Sequence, residues 1–148
     1  MVDTENNLTE AFSKTIEKMA FLSVMPMEKD MVIPEKTILA EISFTGPKSG
    51  TLQILTGVDF TKVLAENISA GDETGENACL DALKELANVT CGLLLPLLLI
   101  SPQDVFDVTV PTVLCGENSP QWNEFTTGQS NCVLNVEGYL VAIRLSYN

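Results

Sequence analysis

The stretch Ile38-Leu-Ala-Glu-Ile-Ser-Phe44 decides the fold, because its apolar residues recur at every second position. They point to one side of an extended chain, while Glu41 and Ser43 point to the other, which is the pattern of a half-buried β-strand. The turn Gly46-Pro-Lys-Ser-Gly50 follows, and Leu52-Gln-Ile54 resumes the alternation. The stretch therefore predicts a β-hairpin.

Helices are predicted on both sides of this hairpin. A first helix, from about Asn7 to Phe21, carries apolar residues at helical spacing, namely Leu8, Phe12, Ile16 and Met19. A second helix is predicted to begin at Thr56, whose hydroxyl would cap it. Residues 69–75, rich in glycine and acidic residues, break that helix, and a third helix is predicted over Glu76–Leu94.

Strands return after the third helix. Residues 106–110 alternate between apolar and polar side chains, residues 132–136 form another strand, and residues 139–145 form the last, with Gly138 in the turn before it. Runs of adjacent strands between helices predict an α+β fold, a sandwich of antiparallel strands with long helices packed on the sheet. With no linker in the sequence, we expect a single domain over residues 1–148.

The composition excludes several classes of function. A net charge of −12 with only eight lysines and arginines argues against a nucleic-acid surface and against binding to an anionic membrane. The apolar run over residues 93–100 is too short for a membrane span, and the acidic N-terminus does not resemble a signal peptide. We therefore expect a cytoplasmic protein. The chain has no histidine, which excludes Ser-His-Asp and Cys-His catalysis.

The four cysteines are predicted to be free thiols. Cys79, Cys91, Cys115 and Cys132 include no CxxC pair, and nothing in the sequence indicates secretion. Cys79 and Cys91 share the third predicted helix, where twelve residues would separate them by about 18 Å along the axis. These two cannot form a disulfide with each other there.

A polar stripe on the third helix is the candidate functional site. Asp81, Lys84, Glu85 and Asn88 stand at positions i, i+3, i+4 and i+7 and so share one face. Spacing alone favours a simpler interpretation, the solvated side of an amphipathic helix on which Lys84 balances two acidic residues. The residue types carry more information than the spacing, because the third helix has the sequence Asp81-xxx-Glu85-xx-Asn88.

This pattern resembles the D/S-xxx-E-xx-N motif of the CheC, CheX and FliY phosphatase family. The resemblance spans about residue 36 to the C-terminus and includes Gly50-Thr-Leu-Gln-Ile-Leu55. The segment Phe106-Asp-Val-Thr-Val-Pro-Thr-Val-Leu-Cys-Gly116 resembles CheX in particular. After Asn88 the sequence is more apolar than the family's usual continuation.

The resemblance implies a phosphatase of the aspartyl phosphate on a CheY-like response regulator, acting in chemotaxis or another two-component pathway. Asn88 would orient the attacking water, Glu85 would pair with the receiver's lysine, and Asp81 would support them. The protein would need no cofactor of its own, since the receiver would hold the Mg²⁺. The excess negative charge gives no long-range attraction to an acidic phosphorylated pocket, so affinity must come from local contacts.

The first helix carries a related pattern, Ser13-xxx-Glu17-xx-Ala20, with alanine where the amide should be. It is either a coincidence or a silent counterpart of the third helix. In the family that this chain resembles, CheC-type members carry two such motifs, whereas CheX-type members carry one and form dimers. Since one helix per chain is competent in both cases, the resemblance implies a CheX-like homodimer. Two further readings of the chain stay open: a non-catalytic receiver-binding or flagellar or sensory adaptor of the same fold, and a structural protein.

Overall fold

The computed structural model describes residues 4–68, 75–127 and 131–148. The helices are α1 (Thr4–Ala20), α2 (Val58–Ile68), α3 (Glu76–Leu94) and the short α4 (Trp122–Thr126), with 3₁₀ turns at Leu95–Leu98 and Gly116–Asn118. The strands are β1 (Val24–Met25), β2 (Thr37–Thr45), β3 (Gly50–Gly57), β4 (Asp107–Val108), β5 (Thr112–Cys115), β6 (Asn131–Val136) and β7 (Tyr139–Tyr147).

The strands form one antiparallel sheet in the order β1-β6-β7-β3-β2-β4, and β5 also pairs with β2. The predicted hairpin is β2 and β3, in which Ile38 lies opposite Thr56 and Phe44 opposite Gly50. The second hairpin, β6 and β7, turns at Glu137 and Gly138, and both residues have positive φ. Such a two-residue turn matches the twist of the strands. The α+β prediction is confirmed.

The main core lies between one face of this sheet and the helices α1, α2 and α3. The apolar residues predicted for the first helix pack into this core, and Phe12 and Ile16 among them are fully buried. A smaller core covers part of the opposite face, where Trp122 and Phe125 of α4 pack on Leu39 and Leu55. That second core was not predicted, because five residues of helix show no periodicity. Its apolar strand residues interrupt the alternation expected of a half-buried sheet.

Two predicted helix starts need correction. The first helix begins by Thr4, one turn earlier than Asn7. The second begins at Val58, because Thr56 belongs to β3 and its hydroxyl donates to the Gly57 carbonyl. The Val58 N–H donates instead to the Lys36 carbonyl at 3.0 Å. A tertiary backbone bond thus satisfies a donor that the sequence assigned to a side-chain cap.

The outer edge of the sheet also differs from the prediction. Residues 106–110 do not form the one continuous strand that was predicted. β4 and β5 pair with β2 in two separate pieces, in which Val108 lies opposite Phe44 and Thr112 opposite Glu41. Between these pairings the outer segment has the three residues 109–111, whereas β2 has two. The extra residue makes a β-bulge, and Val110 is 81% exposed.

The predicted break between the second and third helices falls mostly on residues 69–74, which lie outside the described residues. The helices in the described ranges include none that is both long enough and apolar enough to cross a membrane. Leu94, Leu95 and Leu98 of the apolar run are buried, and Ile100 at its end is exposed.

Candidate functional site

The candidate site lies on α3, which has the bounds predicted for it. Leu83, Leu86 and Ala87 are fully buried against the main core, and this packing fixes the rotation of the helix. The face opposite to them must therefore be open. Asp81, Glu85 and Asn88 are exposed and Lys84 is half-buried.

The four polar residues face a wall made by the outer edge of the sheet. Together with Val108, Thr109, Val110 and Pro111 they line an open cleft of about 430 Å³. The structure therefore brings together the predicted residues Asp81, Glu85 and Asn88, along with Lys84. The wall was not predicted as part of the site. Pro111 was a local sign of an irregular edge, because proline inside a strand indicates an edge strand or a bulge.

The side chains of Glu85 and Asn88 are not engaged with the rest of the described protein. The hydrogen bonds and ion pairs among the described residues include none to the side chains of Glu85 or Asn88. An exposed carboxamide can donate and accept at once, and an exposed carboxylate accepts from a cation. The cleft therefore offers a water-orienting group and an anion, one helical turn apart, to whatever enters it.

The inner face of α3 carries no comparable reactive group. Burial raises the pKa of the Cys91 thiol to about 11, so it stays protonated and unreactive near neutral pH. Cys91 and Cys115 are free thiols, as predicted. Within the described ranges there is also no group of three or more His, Cys, Asp or Glu residues placed to hold a metal ion.

The pattern on the first helix does not form a second cleft face. Ala20 is the last residue of α1 and is fully buried, and its carbonyl accepts a hydrogen bond from the Asn67 side chain at 2.8 Å. Glu17 is exposed and Ser13 half-buried. The position that corresponds to Asn88 thus faces the core.

A larger cavity, of about 920 Å³, lies at the N-terminal end of α3, between Lys62, Glu76 and Glu117. It contains neither Glu85 nor Asn88. Size alone would favour this cavity over the smaller cleft. The cleft is the better candidate, because it joins an unpaired amide and carboxylates on one rigid helix.

Comparison with known proteins shows the family and the fold of the chain. The family model described as chemotaxis phosphatase CheX matches residues 38–130, more than half of the chain. A comparison with curated protein sequences gives no significant match.

Three solved structures illustrate the likeness of the fold. The chemotaxis protein CheX from Desulfovibrio desulfuricans has a TM-score of 0.76 at 13% identity, over 99% of this chain and 100% of that chain. A CheC-like superfamily protein from a Shewanella species has a TM-score of 0.73 at 18% identity, over 100% and 99%. CheX in the CheX–CheY–BeF3–Mg complex from Borrelia burgdorferi has a TM-score of 0.69 at 17% identity, over 100% and 99%.

At these identities the structural likeness establishes the fold, and the family model establishes the family. The chain belongs to the CheX family of chemotaxis phosphatases.

Proposed function

We propose that this protein hydrolyses the aspartyl phosphate of a CheY-like receiver domain and so ends a chemotaxis or two-component signal. One observation carries the proposal: Asn88 and Glu85 stand exposed and unpaired among the described residues, on a helix that packing holds in place. The family of the chain supports it. A related fold crystallised in complex with CheY supports the choice of partner.

Asn88 acts by orienting water. Its amide oxygen accepts a hydrogen bond from the water and its NH₂ group can donate one, so it can direct the water's lone pair at phosphorus. Positioning of this kind removes an entropic cost that a free water would carry. Nothing in this step requires a histidine, and the protein has none.

Glu85 acts by fixing how the receiver domain approaches α3. It lies one turn before Asn88 on the same helix face, so an ion pair with the receiver's lysine sets the depth to which Asn88 enters the pocket. Asp81 lies one turn further back and supports the same contact. The Mg²⁺ is the receiver's, where it neutralises charge on the phosphoryl group, and this chain contributes no cofactor.

The assembly is proposed to be a homodimer acting in the cytoplasm. The buried Ala20 leaves one competent helix per chain, so two chains supply two sites. A mass in solution twice that of one chain would support the homodimer, and the mass of a single chain would contradict it.

The activity is tested with a radiolabelled phosphoryl group on CheY-like receivers from the same genome. We expect Asn88→Ala to lower the hydrolysis rate by about 10²–10³, equivalent to about 2.7–4 kcal/mol. Asn77→Ala is the matched control, because Asn77 is exposed on the same helix but outside the cleft. An unchanged rate in Asn88→Ala would contradict the proposal. Receiver binding without any acceleration by the wild type would favour the adaptor function instead.

A further inference from the structure

We infer that the bulge in the outer edge of the sheet is a docking wall for the receiver, and that Val110 in it sets affinity without taking part in hydrolysis. This inference rests on the proposed function and extends it to the opposite side of the cleft. The wall consists of residues 108–111, of which Val108 and Val110 are the aliphatic members.

The wall is unusual in exposing aliphatic side chains beside a charged helix face. Val110 is 81% exposed and Val108 is 44% exposed. The helix side of the cleft has two carboxylates, Asp81 and Glu85, and one ammonium group, Lys84, so it keeps a net negative charge, whereas the wall is uncharged. A matching partner presents a cation towards the helix and an aliphatic side chain, a few ångströms away, towards the wall.

The exposure of Val110 is built into the strand pairing. The Thr109 N–H donates to the Ser43 carbonyl at 2.9 Å, and the Ser43 N–H donates to the Thr109 hydroxyl at 3.0 Å. Pro111 follows Val110 and restricts it to extended conformations. These constraints hold Val110 out of the sheet, and bulges of this kind re-aim side chains next to active sites.

The wall is also anchored at both ends. Phe106 packs edge-on against the buried Phe44, with ring centroids 5.8 Å apart. β5 pairs with four successive residues of β2 at the other end. A wall fixed in this way can bind a partner without first being ordered, which saves the entropy that a mobile loop would lose.

The test separates binding from catalysis. A receiver loaded with BeF3 and Mg²⁺ is titrated with each variant to measure Kd, and the hydrolysis assay measures KM and kcat. We expect Val110→Ser to raise Kd and KM about tenfold, as removal of a buried isopropyl group does, with kcat changed less than twofold. Val32→Ser is the control, since Val32 is 82% exposed and outside the cleft, and its Kd should equal that of the wild type.

The outcomes distinguish the two proposals. If the wild type hydrolyses the phosphoryl group and Val110→Ser binds the receiver as tightly as the wild type, the docking wall is wrong and the proposed function stands. If Val110→Ser lowers kcat at unchanged Kd, Val110 acts in the reaction and the inference is overturned. A change of oligomeric mass in Val110→Ser would assign the wall to a second copy of this chain, which also overturns it. If the wild type neither binds nor hydrolyses any receiver, both proposals fail.

Discussion

Helices α1 and α3 pack against each other on one face of the same sheet, and both carry an acidic residue followed three positions later by a small one. In α3 the small residue is Asn88, which projects into a cleft. In α1 it is Ala20, which ends the helix inside the core. The spacing is the same in the two helices, but only in α3 does the last residue of the pattern present a polar group to solvent.

A functional motif of this kind needs a neighbouring wall as well as a helix. Residue spacing determines which side chains share a face, but not whether that face is open. The face of α3 is open on one side and bounded on the other by residues 108–111, about twenty positions later in the sequence. A helix with the right spacing and no such neighbour is only a solvated or buried surface.

An asparagine on α1 at the position that corresponds to Asn88 tests whether the two helices differ as described. We expect Ala20→Asn to create no activity when Asn88 is replaced by alanine, and to destabilise the protein by about 2–4 kcal/mol. The reason is that a larger polar side chain enters a packed core. Urea denaturation measures the stability, with Lys18→Asn as the exposed control on the same helix. Restored hydrolysis in the Ala20→Asn, Asn88→Ala double variant would show that the two helices are interchangeable.

The acidic residues Glu85 and Glu17 are expected to differ in their effect on receiver hydrolysis. We expect Glu85→Gln to lower kcat/KM for receiver hydrolysis by about 10- to 100-fold, because it removes one charge-assisted contact with the receiver's lysine. Glu17→Gln should change kcat/KM less than twofold, although Glu17 is also exposed and stands at the same place in its pattern. Equal losses in the two variants would contradict the assignment of the site to α3.

The smallest expected effect concerns two buried threonines. Thr15 on α1 donates its hydroxyl to the Ala11 carbonyl at 2.8 Å, whereas the Thr90 hydroxyl on α3 has no partner among the residues that the structure describes. Both side chains are fully buried. Thr90→Val should therefore stabilise the protein by about 1 kcal/mol, while Thr15→Val should leave stability unchanged or lower it by up to about 1 kcal/mol. Urea midpoints of the two variants measure the difference, and a loss of stability in Thr90→Val would contradict it.

The sequence predicted the elements that have a long, regular pattern. The hairpin of β2 and β3, the helix α3 and the β6–β7 turn at Gly138 were all predicted, because alternation, helical spacing and a turn glycine act locally. The positions of Asp81, Glu85 and Asn88 on one face followed from the same periodicity.

The parts that depend on distant contacts could not be predicted. α2 begins at Val58 because Lys36 supplies a carbonyl acceptor, which no local pattern reveals. The wall of the cleft forms because the outer segment has one more residue than β2 between two strand pairings. The sequence does not reveal this extra residue, because the apolar alternation of Phe106, Val108 and Val110 continues through the bulge without a break. Pro111 was the only local sign that the strand would be interrupted.

The bulge determines which sequence changes the outer edge of the sheet can accept. The strand pairings on both sides of the bulge are intact. The face to which each β5 side chain points is therefore set by the pairing of β5 with β2 and not by the identity of residues 109–111. This tripeptide can therefore be exchanged for that of a relative as a unit, with β2 and the helices untouched. Deletion of one of its residues would leave two residues opposite the two of β2, so the ladder would become regular, β5 would keep its pairing, and the bulge that exposes Val110 would be lost.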